Sequence, residues 1–178
     1  FTGRAVPDGR IAEITKKTAL SMQNIVLIGM PGCGKSMVGR LLAERLGREL
    51  LDADAAVEAA AGCTIPEIFA QGGEAAFRRM ETQALEALGK RSGCVIATGG
   101  GCVTRAENYP LLHQNSVIVW LQRDTARLPS KGRPLSQNAD LAAMYAVRAP
   151  LYARFSDYSA DNNGSPEETV RHIMEVLS

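Results

Sequence analysis

The sequence predicts an α/β fold of three layers, a parallel sheet covered by helices on both faces. Three observations predict it. Short apolar runs alternate with stretches of helical periodicity. The first run, Asn24–Ile28, opens into a glycine-rich turn and then a helix. The chain ends on an amphipathic helix announced by Ser165-Pro166-Glu167-Glu168, a capping box with proline at the first helical position. Strands that alternate with helices pair in parallel and are covered on both sides.

Each element has its own signal. NIVLI at Asn24–Ile28 is a buried strand. The next helix carries Val38, Leu41, Leu42 and Leu46 three and four apart, and Gly47 stands where a helix ends. Glu49–Leu51 is a second short strand, ending at Asp52. Thr64-x-x-Glu67 with Pro66 starts a helix. A longer helix follows the Gly72–Gly73 break, with Phe77, Met80, Ala84, Leu85 and Leu88 on its apolar face and Gly89 closing it. Cys94–Ala97 is a third strand running into Gly99–Gly101, and Ser116–Leu121 is a fourth. Arg127–Asn138 is polar with Pro129, Gly132 and Pro134, so it reads as a loop. Leu141–Arg148 reads as helix, and Val170, Ile173, Met174 and Leu177 form the buried face of the last one.

Bulk properties narrow the function. The 178 residues suit one domain with a buried core. A net charge of +1 and 5% aromatic residues argue against a nucleic-acid partner. No apolar run approaches the ~20 residues of a membrane span. Phe1–Gln23 lacks the apolar core of a signal peptide. Cys33, Cys63, Cys94 and Cys102 show no CxxC spacing and only two histidines exist, which argues against zinc. Reduced thiols in a cytoplasmic protein are expected. Met22 stands just before the first strand, so the chain divides into an extension over 1–21, read as a linker or the tail of an upstream domain, and one domain over 22–178.

Gly29-Met-Pro-Gly-Cys-Gly34-Lys35-Ser36 matches the phosphate-loop pattern in full. Its glycines let successive N–H groups point at phosphate oxygens. Lys35 supplies a cation for the β- and γ-phosphates, and the Ser36 hydroxyl suits magnesium. The helix from Lys35 presents its positive end to the same anion. Gly32, Cys33, Gly34, Lys35, Ser36 and Met37 are therefore the expected nucleotide contacts. Strand before and helix after make this a kinase-type ATP site with Mg2+ as its metal.

The acceptor side is written elsewhere. Asp52 and Asp54 form Asp-x-Asp at the end of the second strand. On an extended segment they face the same way, one toward the metal shell and one toward an acceptor hydroxyl. Gly99–Gly101 follows the third strand at the carboxyl end, where ligands of α/β sheets gather. Arg78, Arg133 and Arg148 are candidate anion binders, with Arg133 in a loop able to act as a lid over about 127–138. His113 and His172 read as surface residues.

The ordered set of motifs resembles shikimate kinase. It comprises GMPGCGKS, LDAD at Leu51–Asp54, IFAQGGEAAFRRME at Ile68–Glu81, ATGGG at Ala97–Gly101, GRPLS at Gly132–Ser136 and RAPLY at Arg148–Tyr152. The resemblance runs from about Asn24 to the C-terminus. It implies a central five-stranded parallel sheet of the nucleoside-monophosphate-kinase type, and phosphorylation of the 3-hydroxyl of shikimate by ATP. It implies that Asp54 holds the acceptor hydroxyls and that Arg78 and Arg148 grip the substrate carboxylate. Gly100 and Gly101 would touch the substrate through backbone. Arg133 would reach the ATP phosphates, Ser36 and Asp52 would form the magnesium shell, and Pro166 would pack on adenine. Lys35, Asp54 and Arg133 are the catalytic set, and a monomeric domain is expected.

Departures from the pattern fall on the nucleotide side. The stretch from Leu121 to Arg133 is shorter than in many members. Arg127 is the one candidate for the arginine that stacks on adenine, and Gly164 replaces another nucleotide-side arginine. Phe1–Thr15 loosely resembles the end of shikimate dehydrogenase, which implies fusion to an upstream pathway enzyme. A gluconate kinase, which faces the same carboxylate problem, is the main alternative.

Overall fold

Five strands form one sheet: β1 (Asn24–Ile28), β2 (Leu50–Asp52), β3 (Val95–Ala97), β4 (Ser116–Gln122) and β5 (Tyr158–Asp161). Their order is β2–β3–β1–β4–β5 and every pairing is parallel. The computed structural model describes residues 8–129 and 141–178. β1 is central and buried at all five residues, as its unbroken apolar run requires.

The helices are α1 (Asp8–Met22), α2 (Lys35–Leu46), α3 (Ala53–Ala61), α4 (Ile65–Gly89), α5 (Asn108–His113), α6 (Leu141–Phe155) and α7 (Pro166–Leu177). Val38 and Leu42 of α2, Leu85 and Leu88 of α4, and Val170 and Ile173 of α7 join the sheet in one apolar core. Gly47 ends α2 at φ 63° and ψ 36°, with its N–H directed to the Ala43 and Glu44 carbonyls. Thr64 and Ser165 form the two expected capping boxes. Gly73, at φ 70° and ψ −173°, breaks α4 into two segments.

Several elements differ from expectation. β2 and β3 each start one residue later, and β4 runs one residue further. α6 continues past Arg148 through Pro150 to Phe155. Proline removes one helical hydrogen bond, but Tyr152 and Phe155 are buried and tertiary packing holds the helix together. α5 and β5 carry no readable period. β5 is an edge strand in which Ala160 alone is buried. α1 occupies most of the expected extension and ends at Met22. Arg48 ties its end to the domain, donating to the Gln23 carbonyl at 2.8 Å and the Leu20 carbonyl at 3.0 Å. Among the described residues no helix is long and apolar enough to cross a membrane.

Register decides what this fold does. Leu27 pairs with Ala97, and Leu51 with Ile96, so the carboxyl ends of β1, β2 and β3 lie level. The glycine turn, the Asp52 region and the Gly99–Gly101 turn thus emerge side by side.

Thr64 and Glu67 are exposed and cap α4 more than two turns before Arg78 and Glu81. Thr64→Ala is expected to lower unfolding free energy by about 1 kcal/mol in urea denaturation. Both Michaelis constants should stay at the wild-type value.

Candidate active site

The phosphate loop leaves β1 through Gly29 at φ 151°. A side chain there would meet the Leu121 carbonyl oxygen at 2.7 Å and Cys33 Sγ at 2.8 Å. Lys35 Nζ lies inside the loop and donates to the Gly29 carbonyl at 2.8 Å and the Met30 carbonyl at 2.9 Å. α2 begins at Lys35, so its unpaired N–H groups face the same hollow. Met37 is exposed on the first turn, and Pro166 opens α7 nearby in sequence to the end of β5.

Ser36 Oγ donates to Asp52 Oδ2 at 3.3 Å. Asp52 Oδ1 accepts the Ala55 N–H at 3.0 Å and so caps α3. This corrects the extended Asp-x-Asp reading. The helix starts at Ala53, because Asp52 is a favourable cap, and Asp54 sits in the first helical turn. Ser36 and Asp52 are hard oxygen donors at the loop mouth and fit Mg2+. Among the described residues no group of three His, Cys, Asp or Glu could hold a metal by itself. Phosphate oxygens and water would complete the shell, as Mg2+ prefers.

Across from this loop lies the glycine turn after β3. A side chain at Gly100 would come within 2.6 Å of Pro31 Cδ, so the two turns touch. One at Gly101 would overlap the Arg78 guanidinium, and one at Gly99 would lie 2.8 Å from Glu81 Oε2 and 3.0 Å from Asp54 Oδ1. Two acidic side chains therefore converge on the Gly99 backbone.

Arg78 Nη1 binds Glu81 Oε1 at 2.8 Å, and Nη2 lies 3.3 Å from Glu74 Oε1. Glu81 is 1% exposed, and its Oε2 has no hydrogen-bond partner among the described residues. Burial pushes its carboxyl above the usual range; Arg78 offsets this and Asp54 adds to it. Arg148, on α6, is 7% exposed, and its Nη1 also finds no partner among the described residues. Tyr152, one turn further on, donates to the Gly100 carbonyl. Burial raises the Tyr152 hydroxyl, and it pushes the Cys102 thiol up to about 12 with help from Glu81.

Lys35, Ser36 and Asp52 thus line one side. Asp54, Arg78, Gly100, Gly101 and Arg148 gather on the other. Arg133 and most of the expected lid lie outside the described residues. Arg127 donates from Nη1 to the Asn163 carbonyl at 2.8 Å, next to the turn that leads into Pro166. His113 is partly exposed and 3.1 Å from Asp157 Oδ1, as a surface residue would be. Sequence reasoning missed Glu81 and Tyr152. Their signal was spacing: Glu81 follows Arg78 by three residues and Tyr152 follows Arg148 by four, on shared helix faces.

A family model described as shikimate kinase matches residues 31–178. The chain is similar to a shikimate kinase of Parasynechococcus marenigrum (strain WH8102), 43% identical over 176 aligned residues covering 93% of this chain and 92% of that protein. A solved structure described as shikimate kinase from Acinetobacter baumannii in complex with shikimate is 35% identical. It covers 91% of this chain and 96% of its own, with a TM-score of 0.80. A gluconokinase from Sinorhizobium meliloti 1021, 17% identical at a TM-score of 0.52, shares the fold alone.

Glu81 sets a pH dependence. Its folded value lies above the ordinary glutamate value, so its contribution to stability is full below that ordinary value and is lost as pH rises through the folded value. Glu81→Gln removes the titration. Urea unfolding should show wild type gaining on this variant as pH falls toward the ordinary glutamate value. A difference independent of pH would refute the assignment.

Proposed function

Because this chain belongs to the shikimate kinase family, we propose that it moves the γ-phosphoryl group of ATP to the 3-hydroxyl of shikimate, with the work divided across the contact of Pro31 and Gly100. One observation carries the acceptor assignment. Arg148 is a buried cation whose Nη1 is unpartnered among the described residues. An unpartnered N–H group on a buried guanidinium is costly, and a carboxylate fits its fork with two parallel bonds. Arg78 is already held by Glu81 and offers its remaining donors beside Gly101. Together they suit a small polyhydroxylated carboxylate better than a neutral sugar or a nucleobase.

Lys35 and the N–H groups of Gly32 and Gly34 take the β- and γ-phosphates, while the Cys33 N–H stays on the Met30 carbonyl at 3.1 Å and shapes the loop; Pro166 packs on the adenine. Arg133 adds a cation from the lid. Ser36 and Asp52 would hold Mg2+, which would neutralise phosphate charge there. In transfer, the bond from the γ-phosphorus to the β,γ-bridging oxygen breaks and the bond to the 3-oxygen forms. ADP leaves with the bridging electrons. Asp54 orients the 3-hydroxyl and takes its proton late, since a loose transition state needs little base strength. Residues 22–178 are proposed as a monomeric catalytic unit.

Arg148→Ala should raise the shikimate KM by about tenfold to a hundredfold, because a charge-assisted bond contributes roughly 1.5–3 kcal/mol. Its Kd for ADP should stay at the wild-type value, and unchanged kinetics would defeat the assignment. Asp54→Asn should abolish most turnover yet keep nucleotide affinity in a direct binding measurement. Shikimate offered beside gluconate in a coupled assay should be the acceptor consumed.

A further inference from the structure

Asn162 follows β5, and its N–H donates to the Gln122 carbonyl at 2.7 Å, extending the β4–β5 pairing by one bond. Its side chain is 2% exposed and engaged at both ends. Nδ2 donates to the Cys33 carbonyl, 129 residues away in sequence. Oδ1 accepts the Thr169 hydroxyl at 2.6 Å. A carbonyl can only accept, so the amide group facing Cys33 must be the NH2 end and Thr169 must be the donor.

The consequence lies in the phosphate loop. The peptide joining Cys33 to Gly34 is planar and trans, so its C=O and N–H point in opposite directions. Holding the Cys33 oxygen toward Asn162 therefore turns the Gly34 N–H away from α7, toward the hollow that holds Lys35. The other loop carbonyls nearby are occupied from within: Gly29 and Met30 by Lys35, and Met30 also by the Cys33 N–H. The Cys33 carbonyl is held from outside the loop. Gly34, at φ 97°, approaches so closely that a side chain there would come within 2.8 Å of Asn162 Nδ2.

We propose that Asn162 is a positioning residue for the nucleotide: buttressed by Thr169 of α7, it fixes the Cys33–Gly34 peptide so that the Gly34 N–H meets a phosphate oxygen. It acts through the loop and touches no substrate. The inference rests on the ATP-site reading, but it predicts a nucleotide-specific defect. Loss of a buried carbonyl's partner should let this peptide rotate, and one N–H contact to phosphate goes with it.

The test uses the full chain and measures binding directly, so it does not depend on which acceptor the enzyme uses. Asn162→Ala should raise the Kd for ADP by about tenfold while the Kd for shikimate stays within about twofold. Thr169→Val, which removes the buttress and keeps the shape, should shift ADP affinity in the same direction by a smaller factor. The two effects should be less than additive in the double variant. Two results overturn the proposal: unchanged ADP affinity in Asn162→Ala, or equal weakening of ADP and shikimate. If Asn162→Ala does not fold, Thr169→Val decides by the same two criteria. Failure of wild type to phosphorylate shikimate would instead count against the proposed acceptor, with the ADP result standing by itself.

Discussion

The contact between Pro31 and Gly100 sets the spacing of everything else. One residue belongs to the turn after β1 and the other to the turn after β3, and the parallel register of these strands delivers them level. Gly100 has no side chain, and one would overlap the Pro31 ring at 2.6 Å. The phosphate-binding turn and the acceptor turn can therefore lie against each other with no layer between them. Overpacking at such a junction typically costs about 1–3 kcal/mol, and here the strain would fall on the loop itself. Phosphoryl transfer depends on in-line approach, so this spacing bears on rate more than on stability.

Around that contact, charge is arranged in two opposed sets. Lys35 and the start of α2 form a positive hollow for phosphate. Arg78 and Arg148 form a second positive region, and Glu81 neutralises part of it. Asp54 stands between, beside Gly99. A substrate with an anion at one end and hydroxyls at the other spans this pattern. Burial strengthens each interaction by removing water, and it also leaves Arg148 Nη1 without a hydrogen-bond partner among the described residues.

Much of this was legible in the sequence wherever the cause is local. Capping boxes at Thr64 and Ser165, the helix end at Gly47 and the break at Gly72–Gly73 involve neighbours within a few residues. β5 was invisible because YSAD is a mostly exposed edge with no apolar period. α6 was read short because proline is a breaker only until packing overrides it, as the buried Tyr152 and Phe155 do. At the site, the motif residues were legible, but their mutual placement was not. Asp54 was expected on an extended segment, and the cap at Asp52 put it on a helix. Asn162 matters through partners that only the fold brings near, and no local pattern flags it, whereas Glu81 and Tyr152 were marked only by their helical spacing from Arg78 and Arg148.

Buried arginine charge is proposed to select a carboxylate acceptor opposite the phosphate loop. This selection is tested most directly by comparing ATP-dependent phosphorylation of shikimate with that of its methyl ester, which keeps the hydroxyls and loses the anion. For the ester, kcat/KM should be lower by about tenfold to a hundredfold, with the KM for ATP unchanged. Equal kcat/KM for the two acceptors would contradict it.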